Sequence, residues 1–135
     1  MAIASLMFKD IDDDIDPTED YVPNALIMFA AVMDGIDIMR RRFPELIDIA
    51  EELSPLHNIK LCLPRTLWIC GTADVDYQQN KEFINKMVEI GNDITLKTYQ
   101  DMEHGFFNYG KHENRYFHET KLEIENYLRS LGLID

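Results

Sequence analysis

The stretch Leu63–Gly110, LPRTLWICGTADVDYQQNKEFINKMVEIGNDITLKTYQDMEHGFFNYG, decides the fold. Thr66–Cys70 is apolar on both alternations, the pattern of a strand covered on both faces, and Gly71 ends it. Tyr77–Ile90 follows with Phe83, Ile84, Met87 and Val88 at helical spacing, and Gly91 and Asn92 are good stop residues for that helix. Ile94–Tyr99 then alternates like a strand with one wetter face. Strand, helix and strand in this order predict a right-handed crossover and a parallel pair.

Outward from there the pattern repeats. Pro23 and Asn24 introduce Ala25–Val32, a second run apolar on both alternations. Asp34 and Gly35 make a turn, and Ile36–Leu53 reads as helix, with Pro44 marking a break or a fresh start. Its basic cluster, Arg40 to Arg42, reads as a solvated helix face or a lid edge. Ser54–Pro64 is a loop with two prolines, and Asn114–Leu131 is a closing helix with Phe117, Thr120, Ile124, Tyr127, Leu128 and Leu131 on one stripe. At the other end Met1–Phe8 reads as the later turns of a helix whose beginning is missing. Lys9–Asp20 is an acidic loop. Asp10, Asp12, Asp14 and Asp16 alternate as in a calcium loop, but the sixth-position glycine is missing and Tyr21 stands at the twelfth, so it reads as solvated. The expected architecture is α/β, one domain holding a three-stranded parallel sheet flanked by helices.

The 135 residues suffice for one core that buries roughly two thirds of the unfolded surface. Thirteen Lys and Arg stand against 25 Asp and Glu, a net charge of −12. That balance argues against nucleic acid and anionic membranes as partners. No apolar run approaches the ~20 residues that span a bilayer, and no basic segment precedes the first apolar stretch, so cytoplasm is slightly favoured. Cys62 and Cys70 are too few for a disulfide framework, and Cys70 reads as a small buried hydrophobe.

In a parallel sheet, functional groups gather in loops at the carboxyl ends of strands. Two such loops carry chemistry: Gly71-Thr72-Ala73-Asp74, and Gln100 to Phe107 with His104 at its centre. Asp74 and His104 are 30 residues apart, an interval filled by one helix and one strand. Their strands are therefore expected to be neighbours, roughly 5 Å apart. A carboxylate there can orient the imidazole as a general base. Competing readings stand beside this one. Asp74 can cap the following helix, Asp76 can be the cap or the acid, and His104 can be a loop histidine bonded to backbone. His57, His112 and His118 read as surface or packing residues. No paired His or Cys spacing suggests zinc. Phe106, Phe107 and Tyr109 fit an acyl pocket or the core equally well.

The same residues carry a resemblance. The motif P-x-T-L-x-x-x-G-T-x-D over Pro64–Asp74, and H-G-F-F-N over His104–Asn108, resemble the C-terminal part of the α/β-hydrolase fold, closest to its esterase, lipase and acetylesterase group. PNALIMFAAVMD resembles the strand before the acid strand, and ELSPLHNIK the usual lead-in, so the likeness spans residues 20–131. It implies a Ser–Asp–His triad hydrolysing carboxylic esters through an acyl-enzyme without a cofactor or metal, with Asp74 as acid and His104 as base. The family's G-x-S-x-G elbow is absent: the serines are Ser5, Ser54 and Ser130, none flanked by glycines at those offsets. The expectation is that the chain begins just after the nucleophile, lacks the oxyanion hole and is inactive alone. The strand Ala25–Val32 would then have lost a neighbour, and its bare edge predicts a two-fold homodimer. The alternative is a non-catalytic interaction module on half a hydrolase scaffold.

Overall fold

A computed structural model describes residues 22–135. The helix expected at Met1–Phe8 and the acidic loop Lys9–Asp20 lie outside the described residues. Three strands, β1 (Leu26–Phe29), β2 (Thr66–Gly71) and β3 (Ile94–Tyr99), form one sheet in the order β1-β2-β3. Both pairings are parallel, with Leu26 opposite Thr66, and Thr66 and Gly71 opposite Ile94 and Tyr99. Between and after them lie α1 (Gly35–Arg42), α2 (Tyr77–Glu89) and α3 (Arg115–Ser130). This is the expected three-stranded parallel sheet flanked by helices.

All six residues of β2 are buried, as a central strand in a layered fold requires. Its alternation divides the core. Trp68 and Cys70 face α2, where Trp68 lies 5.7 Å from Phe83 among Leu26, Met33, Leu56, Ile84 and Met87. Leu67 and Ile69 face the other way, with Tyr99 and Phe106, under Tyr116, Ile124 and Tyr127 of α3. The wetter positions of β3 include Thr95 and Thr98, and Lys97 pairs with Glu123 of α3 at 2.7 Å.

Two boundaries differ from the sequence reading, each for a local reason. β1 is half the length of the apolar run Ala25–Val32, because Ala30 turns to φ 40° after its N–H reaches Ile69 O. The helix expected over Ile36–Leu53 stops at Arg42, and a 3-10 helix, Pro44–Ile49, restarts after Phe43, as the proline requires. The entry to α3 is a run of left-handed residues, His112, Glu113 and Asn114, none of them glycine.

Ser54 explains how the β1–α1 turn is held. Its buried hydroxyl accepts the Gly35 N–H at 2.8 Å and meets His57 Nδ1 at 2.7 Å. A methyl on Gly35 would stand 2.7 Å from both Ala50 O and Ser54 Cβ, so this approach needs glycine. Ser54 is thus a structural tie.

Neither cysteine is in a disulfide. Burial, then the charge of Asp74, pushes the Cys70 thiol up from 9.0 to about 11. Burial, then Glu123 and Glu119, pushes the Tyr99 phenol up from 10.0 to about 12. Both folded values exceed the unfolded ones, so both protonated groups favour the folded chain. That contribution is whole below about pH 9 and is lost as pH rises through 11 and 12. Calorimetry should show Tm falling steeply across this alkaline range, with part of the fall removed in Cys70→Ala. A melting temperature flat through this range would contradict the burial assigned to both groups.

Candidate acid–base site

The two loops at the carboxyl ends of β2 and β3 interlock through backbone. Thr72 N–H donates to Tyr99 O at 2.9 Å and Ala73 N–H to Met102 O at 3.1 Å. The Thr72 hydroxyl accepts the N–H of Asp101, which sits at φ 59°, at 2.8 Å. Gly71 makes the approach possible, since a Cβ there would stand 2.0 Å from Met102 O. The four residues of the G-T-x-D motif therefore supply, in order, the close approach, the loop tie, the backbone bridge and the carboxylate.

The motif's last residue meets the histidine. Asp74 Oδ2 lies 2.9 Å from His104 Nδ1. The Asp74 carboxyl is fully buried, whereas the His104 side chain is 56% exposed. Its second oxygen, Oδ1, accepts the Asp76 N–H at 2.9 Å. A carboxylate only accepts, so Nδ1 carries the proton of this bond, and in the neutral ring Nε2 keeps its lone pair. Asp74 therefore accepts within its own turn and from His104. Asp76 occupies the N-cap position of α2 with no side-chain capping bond, so neither aspartate caps the helix by its carboxylate.

His104 is held from behind. Gly105 at φ 72° turns the chain, and a Cβ on it would stand 2.9 Å from Asn108 Nδ2. Phe106 then plunges into the core, fully buried, with ring contacts to Tyr99 at 4.9 Å and Tyr116 at 5.4 Å. Phe106 is thus core. Phe107 and Tyr109 instead line an apolar groove of about 540 Å³ together with Phe29 and Phe117. Glu103 pairs with Lys111 and His112, each at 3.2 Å. Its own backbone N–H, then Lys111 and His112, hold its carboxyl below the usual range.

Sequence reasoning missed Arg41. Instead of forming only a solvated face, it bonds Asp76 Oδ1 at 3.0 Å and Asp37 at 2.5 Å. An acidic residue four before an arginine, here Asp37, was the available signal for the second pair. Asp74, Asp76 and His104 are the described residues whose ligand-type atoms cluster, within 4.8 Å. They are the ones that could hold a metal, but Asp76 is already neutralised by Arg41 and both Asp74 oxygens are hydrogen-bonded. The arrangement suits proton transfer at Nε2.

Neither a protein-family model nor a curated protein matches the sequence. Solved structures do. The propionate-bound form of a thermophilic esterase from the planctomycete Thermogutta terrifontis is 26% identical, with TM-score 0.71, over 91% of this chain and 50% of that one. Thermogutta terrifontis esterase 2 phosphorylated by paraoxon is 28% identical, with TM-score 0.72, over 92% and 48%. Its apo form is 26% identical, with TM-score 0.72, over 93% and 50%. The scaffold is that of an esterase-like hydrolase, and the chain spans about half the length of the esterases it matches.

Proposed function

We propose that this chain supplies the acid and the base of a Ser–Asp–His carboxylic-ester hydrolase, Asp74 as acid and His104 as base. The 2.9 Å bond between them, at the ends of adjacent parallel strands, carries the reading. In that reaction Nε2 takes the proton of an attacking serine hydroxyl and gives it to the departing alkoxide. Water, deprotonated by the same nitrogen, then attacks the acyl carbon; the bond to the serine oxygen breaks, and Nε2 returns the proton to that oxygen as the acid leaves. Asp74 holds the ring and stabilises the imidazolium between these steps.

The serine comes from outside these 135 residues. Ser54 is buried and tied to Gly35, Ser130 donates to Tyr127 O at the end of α3, and no serine stands on a G-x-S-x-G elbow. About half of each matched esterase lies outside the aligned region, and a nucleophile and oxyanion donors in such a stretch would complete the site. The isolated chain is therefore expected to hydrolyse p-nitrophenyl acetate no faster than its His104→Ala variant. Turnover well above that control would overturn the claim that the nucleophile is missing.

One observation favours a second reading, an association module. The outer edge of β1 has no strand partner among the described residues. Apolar grooves flank it on both faces: the one at Phe29, and another of about 410 Å³ at Met28, Val32, Met39 and Phe43. For the isolated chain a second copy is the matching partner, giving a two-fold dimer. Light scattering at micromolar concentration should return twice the monomer mass; a stable monomer would contradict it.

A further inference from the structure

We infer that Arg41 and Asp76 are positioning residues for the acid: a clamp from α1 that fixes the Asp74 carboxylate, and through it the His104 ring. The inference rests on the acid–base reading of Asp74 and His104 and extends it to a helix the sequence separates from the site by more than thirty residues.

The clamp works through one peptide N–H. Asp74 presents Oδ2 to His104 and Oδ1 to the Asp76 N–H, at 2.9 Å each. Rotation of the carboxylate would break both bonds together, so whatever fixes the Asp76 N–H also fixes the oxygen that faces the ring. The turn does not fix that N–H by burial of its neighbour, because Val75 is 79% exposed and anchors nothing. The Asp76 side chain does so instead. Its Oδ1 accepts from Arg41 Nη2 at 3.0 Å and from Gln79 Nε2 at 2.9 Å. Both donors are themselves held. Arg41 is paired with Asp37 on its own helix, and Gln79 Oε1 accepts the Asp34 N–H at 3.1 Å. The Asp76 carboxyl is almost wholly buried, so its bonds to the guanidinium and the amide are shielded from water on that side. The turn bearing the acid is thus bonded to α1 and to β3, and α2, which follows it, is bonded through Gln79 to the β1–α1 turn.

The test compares the unaltered chain with Arg41→Ala, Asp76→Ala and Asp76→Asn by proton NMR and amide exchange. The unaltered chain should show a low-field His104 Nδ1–H resonance and a protected Asp76 amide. In Arg41→Ala and Asp76→Ala that resonance should broaden or vanish, and the Asp76 amide should exchange roughly tenfold faster. Amides within β2, such as Ile69, should keep their protection, which separates loss of the clamp from loss of the fold. Asp76→Asn keeps the accepting oxygen and should retain the resonance; a tie that merely joined two helices would leave the resonance untouched in all three variants. Unchanged resonance and exchange in Arg41→Ala would overturn the inference. Should Arg41→Ala fail to fold, the contrast between Asp76→Ala and Asp76→Asn decides it, and equal behaviour of those two overturns it. Absence of the resonance in the unaltered chain would instead overturn the acid–base reading itself.

Discussion

Gly71→Ala is expected to cost more than about 3 kcal/mol and lower Tm by about 10 °C or more. The added methyl would stand 2.0 Å from Met102 O and 2.6 Å from Met102 C, inside the contact distance of any atom pair. The obstacle is backbone, so no rotamer change relieves it. Either β2 retreats, with its fully buried residues, or the loop after β3 moves out. The second response breaks the Ala73 N–H bond to Met102 O and carries His104 away from Asp74. The variant should therefore lose the His104 Nδ1–H signal even where it still folds. Calorimetry and proton NMR read the two effects separately. A melting temperature within about 2 °C of the unaltered chain would mean that the two loops are not in contact as described.

Phe106→Ala is expected to destabilise by about 3–5 kcal/mol. Phe106 is fully buried, packs on Tyr99, Phe107 and Tyr116, and sits two residues after His104. Its removal leaves a cavity under the loop, and two of the surrounding rings, Tyr99 and Tyr116, belong to β3 and α3, which cannot collapse together without moving the sheet. Denaturant unfolding should show the loss in midpoint with little change in slope. Phe107→Ala should cost less, because Phe107 is only half-buried: it packs against the core on one side and lines an open groove on the other. Equal losses for the two would contradict the assignment of one phenylalanine to the core and the other to the groove.

Those two residues also mark where the sequence was readable. H-G-F-F located the histidine loop, but two adjacent phenylalanines in a loop have no period to say which faces inward. The buried strand β2 was legible because an apolar run ended at glycine, and the pairing of Asp74 with His104 followed from the strand–helix–strand interval between them. β1 was overread for the opposite reason. Ala30, Ala31 and Val32 continue the apolar run, and nothing in an alanine announces φ 40°. The left-handed turn at His112, Glu113 and Asn114 carries no glycine signal either. Arg41 was hidden by its setting among three arginines, where charge pattern alone reads as a wet surface. Its partner Asp76 comes from an element 35 residues on, so the pair exists only once α1 is packed beside the acid turn. Local pattern reports periods and punctuation; long-range charge pairs are set by packing.

The proposed chemistry depends on the imidazole of His104 donating to a buried carboxylate of Asp74 across the ends of two adjacent strands. The most direct measurement is the low-field proton spectrum of the isolated chain beside that of Asp74→Ala. A hydrogen-bonded Nδ1–H resonance is expected in the first spectrum, and its loss in the second. A spectrum without that resonance, or one that Asp74→Ala leaves unchanged, would contradict the acid–base pair.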